Sequence, residues 1–190
     1  MRYTLDYEKY ASLARQAAAE GCVLLRNEEE ALPIRDGERV SVFGRAQFHY
    51  YKSGTGSGGM VNVPYVSSIP DSLRENGVRI EESSQKRYRE WLKENPFDAG
   101  AGWAQEPWSQ KEMPVSRAMA EEAAAVSDLA LVILGRTAGE DNDNSETPGS
   151  YLLTREEESL LETVCSVFRR TAVVLNVGNI IDMKWVNRYR

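Results

Sequence analysis

Two hydrophobic patterns alternate along this 190-residue chain. Stretches with apolar side chains every three or four positions predict amphipathic helices. Short uninterrupted apolar runs predict strands buried on both faces. Residues 6–20 show the first pattern, with Tyr7, Tyr10, Leu13, Ala14 and Ala17 on one face. The run "GCVLLRN" that follows is expected to be buried, and residues 39–43 read as a strand. Ser68 is placed to cap a helix that takes Pro70 in its first turn and stops near Gly77. "VRI" (78–80) reads as a further strand, and residues 85–94 hold Tyr88, Trp91 and Leu92 at helical spacing. An alanine-rich helix is predicted over 116–126, followed by the fully apolar strand "DLALVILG". After a polar loop over 136–153, Thr154 and Glu157 match a capping box that opens a helix to about residue 168. "TAVVLNVG" is the last buried strand.

Alternating helices and apolar strands predict an α/β fold: a mostly parallel sheet with helices on both faces, in one domain spanning 1–190. Within it, residues 96–112 lack either period. The stretch "NPFDAGAGWAQEPW" reads as an irregular excursion that either presents Trp103 and Trp108 to a partner surface or packs its own aromatics. In such sheets ligands meet the loops beyond the carboxyl ends of the strands. Both unusual loops of this sequence fall there, one rich in glycine and one rich in carboxylates.

Composition narrows the function classes. A hydrophobic content of 42% and a charged content of 27% are ordinary for a globular chain. A net charge of -6 argues against nucleic acid or an anionic membrane as the main partner. The two cysteines, Cys22 and Cys165, fall in apolar surroundings and are expected to be small core residues, with no spacing that suggests zinc or a disulfide framework. The opening residues lack a long apolar segment and no run reaches transmembrane length, so the expected location is cytoplasmic.

"YKSGTGSGGMVN" (51–62) places four glycines in six positions, which implies close backbone approach or unusual dihedrals. A dinucleotide fingerprint needs its last glycine to open a helix, and here several residues intervene. A P-loop needs Gly-Lys-Ser/Thr at its end, whereas Lys52 precedes the glycines. A structural loop and a site for a neutral, hydroxyl-bearing ligand such as a sugar remain. The second loop, "GRTAGEDNDNSETPGSYLLT", carries Glu140, Asp141, Asp143 and Glu146. It lacks the sixth-position glycine and closing glutamate of an EF-hand, so no metal is expected. Three of its four carboxylates read as solvated. The fourth suits an acidic group presented into a cleft for general acid/base work. His49, between aromatic neighbours and without a nucleophile motif, reads as structural or hydrogen-bonding.

Five segments in order, "AAAEGCVLLRNEEEALPI", "VSVFGRAQ", "GTGSGGMV", "ALVILGRTAGEDNDN" and "TAVVLNVGNIIDMKWV", resemble the α/β sandwich domain of glycoside hydrolase family 3, the β-glucosidase type. The resemblance covers about residues 10–186. It implies a retaining glycosidase whose active site is shared with a (β/α)8 barrel that supplies an aspartate nucleophile. "GEDNDN" stands where the family places its acid/base, which implies that role for Glu140. Asp141 and Asn142 replace the usual glycine and aromatic, and Asn144 the usual arginine, so Asp141 and Glu146 stay open as alternatives. Ser57 is implied to reach the sugar of the first subsite, with Lys52 and Thr55 lining the next. On this reading the glycines let backbone and hydroxyl crowd against a neutral sugar. The acid/base carboxyl is expected to have a raised pKa from partial burial and neighbouring carboxylates. No cofactor is implied.

The barrel lies outside these residues, so the resemblance implies a part of a larger enzyme, with a sheet incomplete at its carboxyl-terminal end. It further implies the sandwich-first domain order, no hydrolysis by this chain alone, and self-association through the exposed sheet edge. The partners implied are a β-linked glucoside or related oligosaccharide and the barrel of the same polypeptide. The alternatives are a sugar- or nucleotide-binding α/β module without chemistry and a catalytically inactive relative.

Overall fold

The computed structural model describes residues 3–189. The chain divides into two units, residues 1–32 and residues 33–190. In the first unit, helix α1 (Tyr7–Glu20) starts at Asp6, whose carboxylate accepts the Lys9 N–H at 3.0 Å. The spacing that predicts α1 is confirmed, but burial of the next run is not. Val23, Leu24 and Leu25 are exposed, as is Cys22, which therefore is no core residue. A single helix with a short tail has no second layer within its own unit against which to bury an apolar stripe.

The second unit is a four-stranded sheet in the order β2-β1-β3-β4, with all three strand pairings parallel. Its strands are β1 (Arg39–Phe43), β2 (Arg79–Ile80), β3 (Leu129–Arg136) and β4 (Thr171–Val177). Four helices interleave: α2 (Ile69–Glu75), α3 (Glu82–Glu94), α4 (Arg117–Ala124) and α5 (Arg155–Val167). This is the α/β sandwich expected from the alternating pattern. β3 is central and buried at every position, which is why its sequence is apolar without alternation. Phe43, Ala130, Val132 and Leu134 share a core with Tyr88 of α3, Met119 and Ala120 of α4, and Leu160 and Leu161 of α5. On the opposite face Val40, Val42, Leu131 and Ile133 are also buried. No helix among the described residues is long and apolar enough to cross a membrane.

Helix boundaries follow their caps. Ser68 accepts from the Asp71 N–H, with Pro70 in the first turn of α2. Thr154 and Glu157 exchange both bonds of the capping box at the start of α5. α3 begins three residues before the stretch read from periodicity, because the Glu81 carboxylate caps it by accepting from Ser83 N and Ser84 N. Cys165 of α5 is half-buried, and burial pushes its thiol pKa up.

A buried polar network ties the end of β1 to the stretch before α4. The Tyr88 hydroxyl accepts the Gly44 N–H at 2.8 Å and donates to Glu112 at 3.2 Å. Glu112 also accepts the N–H groups of Arg45 and Met113, each at 2.8 Å. Burial outweighs these bonds and raises the Glu112 pKa to about 7. The same desolvation, with the nearby Glu112 charge, drives the Tyr88 pKa well up.

Candidate active site

Because β1 and β3 are parallel neighbours, the loops leaving their carboxyl ends emerge side by side. They then dock on each other. Thr55 N–H donates to the Ala138 carbonyl at 2.8 Å, and Thr55 pairs with Gly139 as an isolated parallel bridge. The contact is too close for side chains. A Cβ at Gly54 would lie 2.5 Å from the Ala138 oxygen, and one at Gly139 2.4 Å from Thr55 Oγ1. A Cβ at Gly56 would lie 2.9 Å from Glu140 Cβ and 3.0 Å from its Oε2, and the Gly56 φ of 82° already disfavours any other residue.

This geometry changes the account of the glycines. Gly54 and Gly56 are consumed by the acidic loop, and Gly59 packs on the carbonyl of Gly54, where a Cβ would come to 2.6 Å. Gly58 alone of the four faces open space. The crowding that the sequence signals is loop against loop.

Glu140 is exposed, at the tip of a turn closed by the Asn142 N–H and the Gly139 carbonyl at 3.2 Å. The partial burial expected of the acid/base carboxyl is not seen at Glu140 among the described residues. Asp141 holds the left-handed position of that turn, φ 57°. Ser57 is exposed and opens a 3-10 turn, Ser57–Met60, directly after the glycine against which Glu140 lies. The Thr55 hydroxyl is buried against Gly139 without a hydrogen-bond partner, so its side chain is spent between the loops. Lys52 is exposed and lines a cleft of about 340 Å³ with Ser53, Thr137, Gly139 and Asn176. Neither Glu140 nor Ser57 lines that cleft. Of the residues singled out from sequence, the fold thus brings Glu140, Thr55 and the Ser57 segment together, with Lys52 in the neighbouring cleft. Glu146 is exposed further along the loop.

The root of the acidic loop is held by a buried ion pair. Arg136, the last residue of β3, makes a two-pronged contact with Glu157 of α5, both bonds at 2.6 Å. Arg136 also donates to the Ser150 carbonyl at 2.9 Å and the Leu152 carbonyl at 3.2 Å, which gathers the return of the loop around it. The capping-box pattern marked Glu157 as a cap and missed this second role.

Sequence reading also missed what residues 96–112 contribute. Phe97 packs on the rings of His49 and Tyr51, with centroids 5.3 and 6.5 Å apart. The Trp108 carbonyl accepts the Thr137 N–H at 2.8 Å, and the Glu106 carbonyl accepts the Asn142 side-chain amide at 3.1 Å. Trp103 is 54% exposed and lies beside Gly56, its Cζ2 3.6 Å from where a Cβ would stand. An exposed indole next to an exposed carboxylate is a surface on which a sugar or aryl ring can stack. The Glu106 carboxyl pKa is raised, by burial first and then by Asp98. His49 is pushed toward its neutral form by burial, then by Arg45, consistent with a packed ring. Among the described residues no cluster of three or more His, Cys, Asp or Glu side chains is placed to hold a metal ion.

Three kinds of likeness bear on this arrangement. Residues 22–190 match the model of the glycosyl hydrolase family 3 C-terminal domain. A β-glucosidase of Ruminococcus albus is 48% identical over 185 residues, which is 97% of this chain and 19% of that protein. The crystal structure of a β-glucosidase from Paenibacillus barengoltzii matches with a TM-score of 0.92 at 55% identity, over 97% of this chain and 20% of that one. The structure of β-glucosidase 3B from Thermotoga neapolitana, in complex with α-D-glucose, matches with a TM-score of 0.85 at 29% identity, over 98% of this chain and 27% of that one. The chain thus spans about a fifth to a quarter of the length of these relatives.

Proposed function

The chain belongs to the glycosyl hydrolase family 3 C-terminal domains, and on that premise we propose that it is the acid/base-bearing domain of a retaining β-glucosidase acting on terminal, non-reducing β-linked glucosides. One observation carries this reading: the Glu140 side chain lies against Gly56, on the residue before the exposed Ser57. Glu140 protonates the glycosidic oxygen as the bond breaks. An aspartate of a partner (β/α)8 barrel, set about 5–5.5 Å away, takes the sugar as a covalent intermediate, and Glu140 then removes the proton of the attacking water. The barrel closes over the carboxyl and shields it from bulk water. Ser57 contacts the sugar at the first subsite. Thr55 shapes the loop through its main chain, and Lys52 lies one step further out, in the neighbouring cleft.

Of the three carboxylates the sequence left open, Asp141 is committed to a left-handed turn position, and Glu140 is the one packed at the glycine loop. The test uses the longer polypeptide that joins this domain to the barrel. Glu140→Gln should lower kcat/KM by about 10²–10⁴-fold on glucosides with sugar or alkyl leaving groups, which need protonation. It should change kcat/KM little on dinitrophenyl β-glucoside, which does not. An equal loss on both substrates would remove Glu140 from the role. The 190-residue chain alone should release no aryl alcohol from β-glucosides, and turnover by the purified chain would overturn the division of labour between two domains.

A further inference from the structure

The turn that presents Glu140 is short, exposed and closed by one main-chain hydrogen bond, from Asn142 N–H to the Gly139 carbonyl. Such a turn does not fix a side chain at its tip. A second bond acts from the side. The Asn142 side-chain Nδ2 donates to the main-chain carbonyl of Glu106 at 3.1 Å, across 36 residues of sequence. That carbonyl is a firm anchor. Two residues on, the Trp108 carbonyl is bonded to Thr137 N–H at the root of the acidic loop. Six residues on, buried Glu112 is held by the N–H groups of Arg45 and Met113. The same segment places Trp103 beside Gly56. Beyond the turn, the Asn144 amide donates to the Ile180 carbonyl at 3.2 Å and so holds the outgoing arm.

We propose that Asn142 is a positioning residue for Glu140: its side-chain amide ties the carboxylate-bearing turn to residue 106, so that the 96–112 segment sets where the carboxyl points. This rests on the reading of Glu140 as the acid/base. The chemistry asks for an uncharged donor. The acceptor is a carbonyl oxygen, so an amide serves, whereas a carboxylate of the same size repels it and a methyl group leaves it without this partner. A displacement of about 1 Å in a reacting group costs about 100-fold in rate, and a four-residue turn freed on one side permits that much.

The test compares Asn142→Ala, Asn142→Asp and Asn142→Gln with the wild type in the full-length enzyme, using kcat/KM for the bond-breaking step. Asn142→Ala and Asn142→Asp should lose on the order of 10–100-fold on glucosides with alkyl or sugar leaving groups and less than about threefold on dinitrophenyl β-glucoside. Asn142→Gln, which keeps the amide donor, should recover part of the loss. In the 190-residue chain, the protection factor of the residue-142 main-chain amide, followed by NMR and corrected for each side chain's intrinsic exchange rate, should fall about tenfold in Asn142→Ala. Equal losses on both substrates, no loss, or an unchanged amide protection factor would overturn the proposal. Its failure is separable from that of the acid/base reading. If Glu140→Gln shows the leaving-group dependence and Asn142→Ala does not, only the positioning role falls; if Glu140→Gln lacks it, the acid/base reading falls first.

Discussion

Gly56 and Glu140 are in van der Waals contact across two loops: a methyl group on the glycine would overlap the glutamate side chain at 2.9 Å from Cβ and 3.0 Å from Oε2. The contact joins the two features that the sequence shows separately, and it places the Glu140 side chain beside the residue that precedes Ser57. Gly56→Ala is therefore expected to act twice. The Gly56 backbone, at φ 82° and ψ -154°, is one that only glycine adopts readily and costs any other residue about 1–3 kcal/mol, and the added methyl displaces the carboxyl. Urea unfolding of the 190-residue chain should report the first effect, and kcat/KM of the full-length enzyme the second, with a fall on the order of 100-fold.

Asp141 offers a contrasting substitution. At φ 57° it occupies a position that glycine fills without strain. Asp141→Gly should leave thermal stability unchanged or raised and preserve most of the activity, whereas Asp141→Val should lower Tm by several degrees. Loss of activity in Asp141→Gly without loss of fold would return the acid/base role to this carboxylate.

The Arg136–Glu157 pair predicts a stability effect. Both side chains are almost fully buried, and their contact is two-pronged. Arg136→Met strands a buried carboxylate and should cost about 3–5 kcal/mol in urea unfolding. Replacing both residues with apolar side chains should restore much of that, since the stranded charge and not the lost bond dominates the penalty. A single variant as stable as wild type would contradict the buried-charge account.

Glu112 predicts a pH dependence. Its folded pKa, about 7, lies above the ordinary carboxylate value of 4.5 because burial penalises the charge. Between those values the native state holds a proton that the unfolded state has released. Stability therefore falls as pH rises from about 4.5 to about 7 and levels off above it. The contribution lost across that window is about 3 kcal/mol, at roughly 1.4 kcal/mol per pKa unit. Glu112→Gln removes the titration, so the variant should be more stable than wild type at pH 8 and its urea midpoint should vary less between pH 5 and 8. A wild-type midpoint that climbs over this interval, with no flattening in the variant, would contradict the assignment.

Much of this architecture is legible in the sequence because its signals are local. The strand over 39–43, the Ser68 cap and the Thr154–Glu157 box each involve residues within four positions of one another, and the structure bears them out. Tertiary placement is less legible. The run after α1 is apolar, yet Val23, Leu24 and Leu25 are exposed, because composition reports a tendency to be buried and not what does the burying. Residues 96–112 carry no period, since they are placed by contacts such as the Asn142 amide to the Glu106 carbonyl, 36 residues apart. The glycine loop falls between these cases. Its composition announces close approach, but only the parallel pairing of β1 with β3 shows that the second loop is what approaches.

The central claim is that Glu140 delivers and withdraws the proton at the glycosidic bond, and the chemistry of its removal tests it most directly. In the full-length enzyme carrying Glu140→Ala, the glycosyl-enzyme formed from dinitrophenyl β-glucoside lacks its general base and should accumulate. Azide needs no base, so it should attack the intermediate, raise kcat at least tenfold and yield β-glucosyl azide with net retention. A folded Glu140→Ala enzyme that azide neither accelerates nor converts to that product would contradict the account.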